Sequence, residues 1–255
     1  MIRCEIEGLT GGWHPDRPVL RGITGVLPEE RLRVPLMGPS GKGKSTLLYH
    51  LAALKWPFKG TVHWDIGGER FRWGGSGTGL SPMDAVSLRR EYFGFAFQNS
   101  TLSNHLSIEE NLIYPLLLRG IRRRKAQTCA EEVLSQVLDQ DERKEIGNLL
   151  CRMPSELSGG QRQGVALAQA MVHSPQILFA DEPTGNLDIH TRRDIVDLAL
   201  KDWVDKEKDR KLIWITHHEE EPADMGVDYR LFVDSDGCFW ERRYRGPGGS
   251  RWVRE

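Results

Sequence analysis

The chain has 255 residues, 39% hydrophobic and 28% charged, with a formal net charge of -1. That balance is too apolar for a disordered segment and too near neutrality to draw the chain onto nucleic acid or an anionic membrane through its global field. No stretch reaches the roughly 18 apolar residues that cross a bilayer, so a soluble, cytoplasmic chain is expected, with any membrane role supplied by a partner.

From the N-terminus to Met37 the sequence reads as short strands broken by Gly and Pro, among them Cys4-Glu5-Ile6-Glu7 and Gly22 to Leu27. Leu32 to Met37 is a short apolar strand in which Pro35 is awkward. The run Gly38-Pro39-Ser40-Gly41-Lys42-Gly43-Lys44-Ser45-Thr46 follows and fits G-x-x-x-x-G-K-[ST], the phosphate-binding loop of nucleotide triphosphatases. Glycines let backbone N–H groups turn inward around phosphate oxygens. Lys44 supplies a point charge for the β and γ phosphates, and Ser45 offers a hydroxyl to Mg²⁺. Ser45 to Leu54 reads as the following helix, its positive dipole end aimed at the same place.

Trp64 to Leu80 is rich in Gly and reads as a mobile surface insertion. Glu91 to Phe97 reads as a strand, and the pattern turns helical from Ile108 to Arg152. Within it, Ala126 to Gln140 puts Ala130, Val133, Leu134, Val137 and Leu138 on one face. Arg122-Arg123-Arg124-Lys125 reads as a solvated helix start. Arg162 to Val172 is a helix, Gln176 to Ala180 an apolar central strand, Thr191 to Val204 a helix, and Lys211 to Thr216 a buried strand. That order is β-α-β and predicts a parallel sheet. Tyr229 to Arg245 reads as a terminal hairpin and Gly246 to Glu255 as a loose tail.

The strand Ile177-Leu178-Phe179-Ala180 ends in Asp181 and Glu182. Parallel sheets bind ligands at the carboxyl ends of their strands. Asp181 there can hold Mg²⁺, and Glu182, pointing elsewhere, can orient and deprotonate water.

Between these motifs lies Leu157-Ser158-Gly159-Gly160-Gln161, opening a helix. The pentapeptide, its place and its neighbours resemble ATP-binding cassette (ABC) ATPases over about residues 2 to 240. The resemblance implies an α/β P-loop NTPase with a RecA-like core and a mostly parallel sheet. It also implies an N-terminal antiparallel β subdomain and an inserted α-helical subdomain. The core would span 1–98 and 165–245, the helical subdomain 99–164, and a flexible tail 246–255. ATP and Mg²⁺ are the implied cofactors.

The roles implied by position are these. Trp13 stacks on adenine. Gly38, Ser40, Gly41, Gly43, Lys44, Ser45 and Thr46 hold phosphates. Gln98 matches the glutamine that touches Mg²⁺ and the attacking water, and His217 the histidine at the γ-phosphate. Ser158 and Gly160 would close on ATP held by a second subunit, with Asp188 crossing that interface. The implied assembly is a dimer of identical chains, without nucleic acid, bound through a separate transmembrane subunit to the inner face of the cell membrane. Gly164 and Gln169 stand where family members often carry arginines, and His218 where an acid often follows the histidine.

Phe97-Gln98-Asn99, Leu102, Glu110-Asn111 and Pro115-Leu116 resemble the lipoprotein-releasing and macrolide-exporter group. An ABC ATPase that regulates a cell-envelope or cell-division complex without moving a solute would carry the same motifs. DNA-repair ATPases would need a long coiled-coil insertion, and the sequence has no sustained heptads.

Overall fold

The computed structural model describes residues 1–75, 79–97, 101–138, 140–184, 200–207, 209–235, 237–246 and 249–255. Strands β1 (Ile2–Gly11), β2 (Leu20–Leu27), β4 (Lys59–Ile66) and β5 (Glu69–Gly74) form an antiparallel sheet in the order β2-β1-β4-β5. The second sheet runs β11-β10-β9-β3-β8-β7-β6, from β3 (Arg33–Met37), β6 (Phe93–Ala96), β7 (Ile177–Asp181), β8 (Lys211–Ile215), β9 (Tyr229–Asp234), β10 (Gly237–Gly246) and β11 (Gly249–Arg254). Its β6, β7, β8, β3 and β9 are parallel, and β10 and β11 complete it antiparallel.

β7 and β8 are buried at every position, which is why their sequences are continuous apolar runs. Strand alternation divides their side chains between two cores. Leu178, Ala180, Leu212 and Trp214 face the helices, while Ile177, Phe179, Ile213 and Ile215 face the antiparallel sheet and the first helix. Pro35 is tolerated because β3 pairs with β9 only from Leu36 onward, so its missing N–H removes no ladder bond there.

Among the described residues the helices are α1 (Lys44–Leu51), α2 (Pro82–Tyr92), α3 (Ile108–Leu118), α4 (Arg123–Val137), α5 (Gln140–Arg143), α6 (Ile146–Cys151), α7 (Gly159–Met171), α8 (Asp202–Lys206) and α9 (Glu221–Asp224). α4 buries Ala126, Ala130, Leu134 and Val137, one face at helical spacing, and its basic start is exposed. Capping boxes start three helices: Ser81 with Asp84, Ser107 with Glu110, and Ser158 with Gln161. The expected helix Thr191 to Val204 lies largely outside the described residues.

Two expectations are corrected. Trp64 to Leu80 is not an insertion loop through most of its length: it closes the antiparallel sheet as a hairpin. Gly67 (φ 62) and Gly68 (φ 93) make the two-residue turn, a backbone that needs positive φ at both positions. Trp64 and Trp73 are fully buried, and their indole N–H groups donate to Leu51 O (2.9 Å) and His50 O (3.0 Å) at the end of α1. Nor is the segment after Gly246 a loose tail. Residues 249–254 form β11, in register with β10 at Arg243 opposite Trp252 and Glu241 opposite Arg254. The Arg254 guanidinium lies 4.2 Å from the Phe239 ring centroid.

Candidate active site

The phosphate loop joins β3 to α1, and two of its glycines are required by space. Gly38 has φ 142, and a Cβ on it would lie 2.2 Å from Val233 O. Gly43 has φ 101, and a Cβ there would lie 2.5 Å from Leu20 Cδ2. Ser40 and Gly41 stand exposed at the crest, while Lys44 and Thr46 are buried behind it. Lys44 folds back so that its Nζ donates to Gly38 O (2.9 Å) and Pro39 O (3.0 Å). The ammonium is thereby held inside the curve of the loop. Burial lowers its pKa against the opposing pull of Glu182 and Asp181.

The carboxyl end of β7 brings Asp181 opposite α1. Ser45 Oγ donates to Asp181 Oδ1 (3.1 Å) and Tyr49 OH to Asp181 Oδ2 (3.2 Å). Burial raises the Asp181 pKa, and the two hydroxyl donors oppose that rise. The Tyr49 phenol is pushed up by its own burial and then by Asp181. Sequence reasoning missed Tyr49, although its position four residues after Ser45 places both on one helix face.

Immediately after Asp181 the backbone changes hand: Glu182 has φ 48, in the left-handed region, and its N–H donates to Ile215 O (3.2 Å). A non-Gly residue held there carries local strain of the order of 1 kcal/mol or more. The turn swings the Glu182 carboxylate to His217, whose Nε2 lies 2.6 Å from Glu182 Oε1. His217 follows Thr216 just past the end of β8, so adjacent parallel strands deliver the two partners. Behind them the buried Glu221 accepts from Thr184 Oγ1 (2.8 Å) and Trp214 Nε1 (2.9 Å), tying the chain after Glu182 to the chain after His217.

Trp13 is 65% exposed, unusual for so large an apolar ring, with the Lys55 Nζ 3.7 Å from its centroid and Tyr49 edge-on at 6.3 Å. Lys55 lies over the ring, and the area left exposed suits stacking of a flat base. Ser158 and Gly160 open α7 at the surface, the Ser158 hydroxyl accepting from Gln161 N (3.1 Å). No hydrogen bond or ion pair among the described residues links them to the loop around Lys44. The structure therefore brings together Lys44, Ser45, Asp181, Glu182 and His217, with Trp13 beside Tyr49. Gln98 and Asp188 lie outside the described residues.

The ABC transporter family profile matches residues 23–185. The "Lipoprotein-releasing system ATP-binding protein LolD" of Geobacter metallireducens is 36% identical over 231 residues, covering 89% of this chain and 94% of that protein. The "Macrolide export ATP-binding/permease protein MacB" of Rhodopirellula baltica is 36% identical over 207 residues, 80% of this chain but 28% of its own length. Among solved structures, the MJ0796 cassette, described as the dimeric post-hydrolysis state of an ATP-binding cassette bound to ADP and Pi, superposes with a TM-score of 0.77 at 26% identity. That match covers 94% of this chain and 98% of the other. The chain belongs to the ABC transporter family and is an ABC-type ATP hydrolase, similar to the subunits of lipoprotein-releasing and macrolide-exporting systems.

Proposed function

We propose that two copies of this chain close around two ATP molecules and that closure drives a separate membrane subunit of the lipoprotein-release or export type. The observation that carries the catalytic half is the convergence of Lys44, Ser45, Asp181, Glu182 and His217 at the carboxyl ends of β3, β7 and β8. The nature of its relatives supports the assembly. Two are named for transport systems, and the MJ0796 cassette is described as dimeric. Among the described residues no helix is long and apolar enough to cross a membrane.

In the closed dimer, Lys44 and the loop amides bind the β and γ phosphates, and Trp13 carries the adenine by stacking. Gly38, Ser40, Gly41, Gly43 and Thr46 shape the loop. Ser158 and Gly160 of one copy meet the γ-phosphate held by the other. A hydroxyl and a carboxylate oxygen 3.1 Å apart, beside a phosphate site, are a donor set suited to Mg²⁺, and Ser45 and Asp181 would hold it. When bound, that ion neutralises charge on the transferring phosphoryl group. Glu182 orients and deprotonates the attacking water, and His217 contacts the γ-phosphate while fixing the Glu182 carboxylate. Gln98 and Asp188 keep their expected roles toward water and the opposite subunit.

Glu182→Gln should bind ATP normally and hydrolyse it about 10²- to 10⁴-fold more slowly, the usual contribution of a positioned base. Its ATP-bound form should elute as a dimer. Affinity capture on that variant from detergent-solubilised membranes should recover a membrane protein with few spans and a large outer domain. Recovery of a cell-wall hydrolase regulator instead would favour a regulatory complex, and turnover at the wild-type rate would remove Glu182 as the base.

A further inference from the structure

Two residues past His217 the chain carries three consecutive acids, Glu219-Glu220-Glu221, and each is held differently. Glu221 is buried against Thr184 and Trp214, as described above. Glu219 and Glu220 are taken from the opposite side by the C-terminal strands. The Trp252 indole on β11 donates to Glu219 Oε2 (2.7 Å), and Arg230 on β9 donates to Glu219 Oε1 (3.2 Å). Arg243 on β10 donates to Glu220 Oε1 (2.7 Å) and to the Glu219 carbonyl (3.4 Å). Arg230 also lies 4.2 Å from the Trp252 ring centroid and donates to Glu241 (2.6 Å), so donors and acceptors are locked to one another.

These contacts have a direction. His217 stands between a fixed strand end, β8, and a segment whose side chains are gripped by a hairpin from the far end of the sequence. We propose that the β10–β11 hairpin is a positioning element for His217, with Trp252 and Arg243 as positioning residues acting through Glu219 and Glu220. Gripping the segment two residues on restricts the backbone that aims the imidazole at Glu182. The Trp252 indole matters as a donor, because its ring face is already occupied by Arg230. The proposal rests on the reading of His217 as a catalytic residue.

The test is a double-mutant cycle in the full-length chain, read by single-turnover ATP hydrolysis and by ATP affinity. Trp252→Phe keeps an aromatic ring for Arg230 and removes the donor to Glu219. It should lower the hydrolysis rate about five- to tenfold while leaving ATP affinity within about twofold. In a His217→Ala background the same substitution should change the rate by less than about twofold. Glu219→Gln, which weakens the same contact from the other side, should reproduce both results. An equal loss in both backgrounds would mean that Trp252 does not act through His217, and the proposal falls. Unchanged hydrolysis in Trp252→Phe and Glu219→Gln, with His217→Ala impaired, would overturn the latch and leave the site reading standing. Wild-type turnover in His217→Ala would remove the histidine from the mechanism, and the latch with it.

Discussion

The Gln169 side-chain amide donates to the Asn111 backbone carbonyl at 2.9 Å. In an unbroken helix that carbonyl would accept from the residue four positions on. Here that residue is Pro115, which has no N–H. A side chain from α7 thus repairs the bond that α3 cannot make. The same amide accepts from Thr101 Oγ1 (3.2 Å), while the buried Asn111 side chain accepts from Ser103 N (2.8 Å) and donates to Ser103 O, Leu106 O and Ser107 O. Asn111 and Gln169 together hold the chain from Thr101 to Ser107.

Gln169→Ala should therefore cost about 1–2 kcal/mol, the usual penalty of an orphaned buried acceptor. In a Pro115→Ala background, where the helix regains its N–H, the same substitution should cost markedly less. Urea unfolding of the four proteins measures the coupling. Equal costs in both backgrounds would show that Gln169 does not serve the Asn111 carbonyl.

A second prediction concerns acid. His50 is fully buried and its Nδ1 meets Lys55 O at 2.9 Å, and burial pushes its pKa down to about 4 from 6.5. Between those values the unfolded chain takes up a proton that the folded chain refuses, so stability falls as pH falls from 6.5 toward 4. The loss from this residue approaches about 3 kcal/mol. His173, also lowered by burial, acts in the same direction. Melting temperature between pH 7 and 4.5 should fall less steeply in His50→Gln than in wild type. Parallel profiles would contradict the assignment.

Gly164 gives a stabilising change. It lies inside α7, and a Cβ there would meet Val137 O at 3.6 Å and Val137 Cγ2 at 3.8 Å, both ordinary contacts. Gly164→Ala should raise stability by about 0.5–1 kcal/mol through helix propensity. A lowered denaturation midpoint would show that α7 cannot take the methyl.

The acid limb of catalysis should report Tyr49. Its hydroxyl favours the ionised form of Asp181, opposing the rise caused by burial. Removing it raises the Asp181 pKa further, so the acidic limb of the kcat/KM profile in Tyr49→Phe should move to higher pH. An unmoved limb would mean that another group sets it.

What could be read from the sequence was what local chemistry dictates. The phosphate loop, the acids ending β7 and the apolar runs of β7 and β8 announce themselves because backbone turn, strand end and two-sided burial each demand particular residue types. Long-range contacts stayed hidden. Nothing near Trp64 or Trp73 indicates that their indoles reach the end of α1. Nothing in residues 246–255 reveals that Trp252 will meet Glu219, 33 positions earlier. Gln169 appeared as a departure from the family pattern, whereas its purpose is visible only beside Pro115. Tyr49 was within reach of helix spacing. The Gly67-Gly68 turn was obscured by the glycines that follow it.

The two tryptophan caps on α1 make that helix electrically lopsided. Its exposed carbonyls would have formed the negative pole, and the indole N–H groups of Trp64 and Trp73 answer them inside the protein. Its amide end carries no side-chain cap, for Gly43 offers none. A charge pattern that most helices settle at both ends is here settled at one, leaving the other end in want of an anion.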